Sequence, residues 1–279
     1  MHSFTGDNDR LTRFLDAIIH KSGDVAQKSF GKVISYSLKD DPNQVVSVVD
    51  IESEKLLITA ISEMYPNDSI IAEESGYTKK NGQFTWILDP IDGSSNYVNA
   101  LPWFGVMVAR IDSAFHPVAA GIYLPITNET VIAQLGKGAY YNGQRINVAS
   151  KNDIKNCLVS ICANSSQDQE YVSRASNFYK NILQSARNIR STNSAADYFY
   201  SSIGRLEVLV NFTNKVWDVA PVSLIAQEAG MKVTDINGGP LDLRVDPATL
   251  TKNFTIVVAN PGIHGKILEA LKQSNNPTV

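Results

Sequence analysis

The chain has 279 residues, of which 43% are hydrophobic and 19% are charged. This composition is typical of a folded protein with one large core or two smaller ones. Its 25 basic and 28 acidic residues leave a formal net charge of −3, which gives no support to a nucleic-acid partner or to an anionic membrane surface.

The sequence also favours a location inside the cell. No stretch is apolar for long enough to cross a bilayer, and the first residues lack the layout of a signal peptide. Cys157 and Cys162 lie in an apolar run, and on a strand their odd spacing would place them on opposite faces. They are predicted to be buried thiols of a reducing compartment. We therefore expect a cytoplasmic protein.

The predicted elements begin with an amphipathic helix over residues 8–30, where apolar residues recur at helical spacing. Valines on both sides of Asp40-Asp41-Pro42-Asn43 predict a hairpin that turns there. A second helix is expected over residues 51–64, with Asp50 placed to cap it. Short apolar runs then predict a mostly antiparallel sheet, with strands at 69–72, 85–88, 105–111, 118–123, 129–134 and 139–141.

Beyond Asn152 the pattern changes, because strands and helices alternate. Strands are predicted at 158–161, 207–212 and 255–258. Helices are predicted at 169–183, 195–203, 219–228 and 263–271. We place a domain boundary near residue 152, which divides the chain into an N-terminal α+β part, residues 1–152, and a C-terminal α/β part, residues 153–279.

The strongest candidates for functional residues lie in the segment from Trp86 to Asn96. An apolar strand delivers Asp89 at its end, and Asp92 follows three residues later, just before a glycine turn and a short helix. Two carboxylates beside a helix N-terminus can hold a divalent cation and a phosphate group. The alternative is an Asp-rich turn in which Asp92 is an ordinary helix N-cap.

Two further acidic positions occur where a strand ends or a helix begins. Glu73-Glu74 follows the predicted strand at 69–72, and Asp218 opens a predicted helix. Taken singly, the first would be solvated charge and the second an N-cap. Taken together with Asp89 and Asp92, they indicate one site at the edge of a sheet. Because carboxylates about 4 Å apart repel by roughly 4 kcal/mol per pair, such a cluster needs a divalent cation, and oxygen ligands favour Mg2+.

Three motifs in this order resemble the signature motifs of the inositol monophosphatase family. They are Glu73-Glu74-Ser75, Asp89-Pro90-Ile91-Asp92-Gly93-Ser94 and Trp217-Asp218-Val219-Ala220. The resemblance covers nearly the whole chain and implies a layered αβαβα sandwich of the sugar phosphatase fold. It also implies a phosphoric monoester hydrolase that acts on a small phosphorylated metabolite, and a homodimer.

The resemblance further implies a ligand set for the metal ions. Glu73, Asp89 and the backbone carbonyl of Ile91 would hold a first Mg2+, and Asp89, Asp92 and Asp218 a second. A third, weaker ion also occurs in the family pattern. Li+ inhibition is a family trait and is therefore expected.

The resemblance assigns catalytic and phosphate-binding roles as well. Ser94, held by Asp50 and Glu74, would position or deprotonate the attacking water. The backbone amides of Gly93, Ser94 and Ser95 would bind the phosphate oxygens. Attack by water would then proceed in line, without a covalent enzyme intermediate.

The substrate side departs from the usual family pattern. Asn211 stands where inositol-specific members have a Glu that contacts ring hydroxyls, and the turn Asn193-Ser194-Ala195 has Asn where Gly is commoner. Ser94 replaces the commoner Thr, and Gln44 replaces an Asp in the hairpin. The alternatives to an inositol 1-phosphate phosphatase are therefore a phosphatase of fructose 1,6-bisphosphate, 3′-phosphoadenosine 5′-phosphate, histidinol phosphate or NADP, or a regulatory binding module that retains the metal site.

Overall fold

The computed structural model describes residues 10–39 and 45–274. These residues form a two-stranded hairpin, an eight-stranded sheet and a five-stranded sheet, with seven α-helices. The helices are α1 Arg10–Ser29, α2 Val48–Met64, α3 Ser94–Val98, α4 Gln169–Ser185, α5 Ala195–Ser202, α6 Val216–Glu228 and α7 His264–Ser274. The strands are β1 Tyr36–Leu38, β2 Val45–Ser47, β3 Ser69–Ala72, β4 Gly76–Thr78, β5 Thr85–Asp92, β6 Gly105–Ile111, β7 Pro117–Leu124, β8 Glu129–Gln134, β9 Gly138–Tyr141, β10 Gln144–Ile146, β11 Leu158–Cys162, β12 Asn188–Arg190, β13 Val208–Asn214, β14 Lys232–Thr234 and β15 Phe254–Ala259.

The larger sheet has the strand order β10-β9-β8-β7-β6-β5-β3-β4. Its neighbouring strands are antiparallel except for β3 and β5, which run parallel. This confirms the predicted, mostly antiparallel sheet. The parallel pair positions the site, because Glu73 follows the end of β3 at the same edge where β5 delivers Asp89 and Asp92.

Alternating side chains of the larger sheet pack into two different cores, as the pleat of a strand requires. Ile70 and Leu88 pack with residues of α1 and α2 on one face. Ile71 and Ile87 pack with residues of α5 and α6 on the other face, in a core that also includes residues of the smaller sheet. Helices α4 and α7 cover the outer face of the smaller sheet. The five layers confirm the predicted αβαβα sandwich.

The smaller sheet has the order β12-β11-β13-β15-β14. Strand β11 is parallel to β12 and β13, whereas β15 is antiparallel to both of its neighbours. The larger sheet ends at Ile146 and the smaller one begins at Leu158. We therefore retain the boundary near residue 152 as a proposal that separates the two sheets.

The start of α2 differs from the prediction. The helix begins at Val48, with Ser47 as its N-cap, and Asp50 is the third helical residue, whose carboxylate accepts the Ser47 backbone N–H at 2.9 Å. Val48 and Val49 therefore belong to the helix and not to the hairpin. The hairpin itself is confirmed by the antiparallel pairing of β1 with β2, whereas its predicted turn at residues 40–43 and Gln44 lie outside the described residues.

The cysteines and the shortest strands supply the remaining differences. Cys157 and Cys162 are both buried free thiols, as predicted, but Cys157 precedes β11, so the two do not share a strand. Four strands of three residues each were not predicted, namely β4, β10, β12 and β14.

Among the described residues, no helix combines the length and the hydrophobicity that a membrane crossing needs.

Candidate active site

A bulge in β5 brings Asp89 and Asp92 to the same side of the sheet. Asp89 pairs with Met107 and Asp92 with Gly105, so three steps along β5 match two steps along β6. In a regular strand, residues three apart point to opposite faces, and one extra residue reverses that relation. Pro90 lies inside the bulge, where its missing N–H is tolerated.

Gly93 makes the turn from β5 into α3. Its φ is +94°, in the left-handed region that favours glycine. A Cβ at this position would lie 2.7 Å from the Trp103 carbonyl oxygen and 2.8 Å from the Ser194 Cβ. The turn thus allows the backbone of the 93–95 segment to approach the 193–195 segment closely, and this contact joins the two sequence parts at the site.

The predicted acidic residues meet in space. Carboxylate oxygens of Asp89, Asp92 and Asp218 all lie within 4.8 Å of one another. Asp218 is the third residue of α6, where its carboxylate accepts the Lys215 backbone N–H at 2.7 Å. These three residues and Glu73 line one cavity of about 270 Å³. Other predicted site residues that line it are Ile91, Gly93, Ser94, Ser95, Asn193, Ser194 and Asn211.

The charges in this cluster are in conflict. Burial raises the pKa of Asp89 and of Asp92 well above the ordinary value, and the neighbouring carboxylates raise each pKa further. Burial also raises the pKa of Asp218 to about 7. Within the described part of the chain, the buried Oδ1 of Asp92 has no hydrogen-bond partner. An all-carboxylate donor set with a free buried oxygen fits a hard divalent cation such as Mg2+.

Glu73 and Glu74 share one lysine. Lys39 Nζ lies 2.7 Å from Glu73 Oε1 and 2.7 Å from Glu74 Oε1. Burial alone would lower the pKa of Lys39, but the two carboxylates outweigh it and raise that pKa. Burial, together with the charge of Glu73, raises the pKa of Glu74 to about 7.

Glu54, which the sequence reasoning missed, holds the turn after β3. Its two carboxylate oxygens accept the backbone N–H groups of Glu74 at 2.8 Å and of Ser75 at 2.9 Å. Asp50 and Glu54 are four residues apart on α2 and therefore share a helix face. That i, i+4 spacing of two acids on a predicted helix was the signal that could have identified Glu54.

The Ser94 hydroxyl is fixed by two acceptors. Its Oγ lies 2.7 Å from Asp50 Oδ1 and 2.8 Å from the Ile91 carbonyl oxygen. A hydroxyl has one proton to donate, and the buried Asp50 is the stronger acceptor because of its charge. The proton directed to Asp50 leaves the lone pairs of Ser94 Oγ available toward the cavity. Glu74, predicted as a second partner of Ser94, bonds to Lys39 instead.

The opposite wall of the cavity is built around the turn before α5. Asn193 has a φ of +52°, a conformation that Asn tolerates better than other non-glycine residues, which explains how Asn can occupy this position. Asp197, which the sequence reasoning also missed, holds this turn through Thr192 N at 2.9 Å and Ser160 Oγ at 2.7 Å. Ala195 contributes a backbone N–H that favours the charged form of Asp92.

The side chain of Asn211 is engaged by protein groups. Its Nδ2 donates to the Tyr198 hydroxyl at 2.8 Å, and its Oδ1 accepts the Thr213 backbone N–H at 3.1 Å. The Tyr198 hydroxyl in turn donates to Asn214 Oδ1. An amide group has two N–H donors and two lone pairs, so Asn211 retains one of each for a ligand at the cavity wall.

The raised pKa values of Glu74 and Asp218 predict how pH affects the stability of the metal-free protein. Both carboxyls titrate near pH 7 in the folded chain and near pH 4 when unfolded. The folded state therefore binds more protons between these values, and stability is lost as the pH rises. In EDTA, we expect the melting temperature to fall by several degrees between pH 5 and pH 8.

Added Mg2+ supplies the control, because it binds the ionised carboxylates. We expect Mg2+ to raise the melting temperature more at pH 8 than at pH 5. A melting temperature in EDTA that is equal or higher at pH 8 would contradict the proposed charge conflict.

Comparisons with known proteins agree with the geometry. A model of the inositol monophosphatase family matches residues 7–276. A fructose-1,6-bisphosphatase/inositol-1-monophosphatase of Thermotoga maritima is 30% identical over 267 residues, which are 95% of this chain and 96% of that protein. A Nus factor SuhB of Vibrio cholerae is 32% identical over 238 residues, 85% of this chain and 86% of that protein.

Solved structures show the same architecture. An IMPase of Thermotoga maritima superimposes with a TM-score of 0.84 at 28% identity and covers 96% of this chain and 98% of its own. The extragenic suppressor protein suhB from Bartonella henselae gives a TM-score of 0.85 at 27% identity, over 95% and 99% of the two chains. With the family motifs, the fold and the acidic cluster in agreement, the chain belongs to the inositol monophosphatase family and is a phosphoric monoester hydrolase.

Proposed function

We propose that the chain is a Mg2+-dependent phosphomonoesterase that hydrolyses inositol 1-phosphate or a similar small sugar or polyol phosphate. The observation that carries the proposal is the meeting of Asp89, Asp92 and Asp218 within 4.8 Å, with a buried and unpartnered Asp92 oxygen among the described residues. A cluster with that much charge conflict is expected where a cation is needed for function.

The residues present fit two metal positions. Glu73, Asp89 and the Ile91 carbonyl would hold one Mg2+, and Asp89, Asp92 and Asp218 the other, with a third ion as an optional addition. When bound, the ions supply a lowered pKa for the attacking water and neutralise charge on the phosphate and the leaving oxygen. The Mg2+ requirement, the number of ions and inhibition by Li+ are parts of this proposal.

The chain itself supplies orientation. Ser94 Oγ, with its proton directed to Asp50 at 2.7 Å, presents a lone pair that accepts a hydrogen bond from the attacking water and aligns it with the phosphorus. If the water gives up that proton to Ser94, the hydroxyl proton of Ser94 passes to the Asp50 carboxylate. Glu74, the third member of the proposed catalytic group, bonds to Lys39 and would act by holding Lys39 beside Glu73. Gly93, Ser94 and Ser95 line the cavity, and their backbone amides would donate to the phosphate oxygens, where charge develops in the transition state.

The substrate's hydroxyls would be bound on the opposite wall. Asn193, Ser194 and Asn211 line it, and the Ala195 backbone supports Asp92 beside them. Neutral amides and hydroxyls donate and accept in several orientations, so this wall favours relaxed specificity. Fructose 1,6-bisphosphate, 3′-phosphoadenosine 5′-phosphate, histidinol phosphate and NADP remain the alternative substrates within the same chemistry.

A substrate panel tests the proposal. We expect Mg2+-dependent phosphate release from inositol 1-phosphate and from at least one of the other metabolites. The values of kcat/KM rank these substrates by how well the pocket contacts stabilise the transition state of each. The assay measures phosphate release with Mg2+ and, as a control, with EDTA.

Absence of release from every member of the panel would argue against the phosphatase proposal. It would favour the second candidate, a regulatory binding module, which is suggested because several relatives carry the name Nus factor SuhB. A homodimer and a cytoplasmic location complete the proposal.

A further inference from the structure

The cavity of the proposed active site has an uneven charge distribution. Four acidic residues, Glu73, Asp89, Asp92 and Asp218, line it, and carboxylate oxygens of the last three lie within 4.8 Å of one another. Of the described residues that line the cavity, Lys215 is the only basic one. The other polar side chains along its wall are neutral amides and hydroxyls. The Lys215 ammonium group is therefore the cavity group best suited to bind an anionic part of the substrate that the metal ions do not bind.

The Lys215 ammonium group hydrogen-bonds to two groups outside the acidic cluster. Its Nζ donates to the Thr251 carbonyl oxygen at 3.1 Å and to Asn253 Oδ1 at 2.8 Å. Both acceptors are uncharged, and Lys215 forms no ion pair with any described residue. An ammonium group has three donors, so one N–H remains, on a charge that forms no direct ion pair and acts on Asp218 only through space.

Asn253 and Thr213 extend the same wall. Because an ammonium group can only donate, Asn253 must turn its carbonyl oxygen toward Lys215, and its Nδ2 group then points elsewhere. Asn253 and Thr213 both line the cavity. Neither the Asn253 Nδ2 nor the Thr213 hydroxyl hydrogen-bonds to another described residue. Three side chains thus offer unused donors, and one of them carries a positive charge without a direct ion pair among the described residues.

We propose that Lys215, Asn253 and Thr213 form a subsite for a second phosphate group of the substrate, so that the enzyme prefers a bisphosphorylated sugar or polyol over the matching monophosphate. The inference rests on the proposed function, because the first phosphate is bound at Gly93–Ser95 and the acidic cluster. A second phosphate would accept from the ammonium group and from the neutral donors, an arrangement that suits a dianion.

The test compares matched substrates. Phosphate release is measured with inositol 1-phosphate against inositol 1,4-bisphosphate, and with fructose 1-phosphate against fructose 1,6-bisphosphate. The readout is the ratio of kcat/KM for the bisphosphate to that for the monophosphate. We expect Lys215→Met to lower this ratio about tenfold to a hundredfold, mainly through KM, because one charged hydrogen bond is lost.

Two variants control for side effects. Lys215→Arg keeps the charge and is expected to hold the ratio within about threefold of wild type. Lys266→Met removes an exposed ammonium group that also donates to a backbone carbonyl, that of Asn152 at 2.6 Å, and it should leave the ratio unchanged. The hydrogen bond from the Lys215 backbone N–H to Asp218 persists in every variant. A fall in kcat/KM that is equal for both substrates would report on the metal site and not on the subsite.

Calorimetric binding separates failure of this inference from failure of the proposed function. The same ligand pairs are titrated with Ca2+ in place of Mg2+, since Ca2+ takes the same oxygen ligands. A weaker Kd for the bisphosphate alone in Lys215→Met supports the subsite even if no substrate is turned over. A wild-type enzyme without preference for the bisphosphates, or a Lys215→Met variant whose ratios of kcat/KM and Kd match wild type, overturns it.

Discussion

Replacing Asp89 by Asn is expected to lower Mg2+-dependent phosphate release by about 10³-fold or more, because Asp89 is the carboxylate proposed to bridge both metal ions. The fold should survive. Asn retains the Oδ1 atom that accepts the Ile91 backbone N–H at 3.1 Å, and the change removes one charge from a cluster that repels itself. The melting temperature in EDTA at pH 8 is therefore expected to equal or exceed that of wild type, while the increase caused by Mg2+ is largely lost.

The matched control is Asp24→Asn, which makes the same chemical change at an exposed position of α1 that does not line the cavity. It should leave both activity and the response to Mg2+ at wild-type levels. Substantial Mg2+-dependent turnover by Asp89→Asn would remove the bridging role, and a lower melting temperature in EDTA would show that Asp89 stabilises the metal-free fold.

Removal of the Ser94 hydroxyl is the second change with a large expected effect. Ser94→Ala is expected to lower kcat by about 10²-fold to 10⁴-fold, the range typical of a group that positions or accepts a proton from the nucleophile. KM should change little, because the backbone amides proposed to bind the phosphate are retained. Steady-state kinetics at saturating Mg2+ measure both values.

Ser94→Thr tests whether the hydroxyl itself is responsible. Thr keeps the hydroxyl that donates to Asp50 and adds one methyl group, so activity should lie within a few-fold of wild type. If Ser94→Ala retained wild-type kcat, or if Ser94→Thr were as impaired as Ser94→Ala, the proposed role of the hydroxyl would be wrong.

The acidic cluster was predictable from sequence because its members follow local signals. Glu73 and Asp89 come after short apolar strands, and Asp218 lies in the first turn of a helix. The order of these motifs gave the family, and the family gave the layered fold. The bulge between Asp89 and Asp92 was not predictable, since it depends on pairing with β6, yet it is what turns the two carboxylates to the same side.

The residues that sequence reasoning missed act through contacts between distant segments. Glu54 binds the turn after β3 from α2, and Asp197 bonds to Ser160, 37 positions away. Tyr198 bonds to Asn211 and Asn214 on another element. No local periodicity encodes the pairs made by Asp197 and Tyr198, and for Glu54 the only local signal was its i, i+4 spacing from Asp50. The start of α2 was misplaced for a related reason, because Ser47 and Asp50 cap the helix jointly and either residue alone is a plausible N-cap.

If the acidic cluster is a metal site for phosphoester hydrolysis, removal of Mg2+ should abolish activity and its return should restore it. Wild-type protein is assayed for phosphate release from inositol 1-phosphate and from fructose 1,6-bisphosphate, first with Mg2+, then after EDTA, and again after Mg2+ is restored. We predict phosphate release that stops with EDTA and returns with Mg2+. Release that continues unchanged in EDTA, or no release from either substrate under any of these conditions, would contradict it.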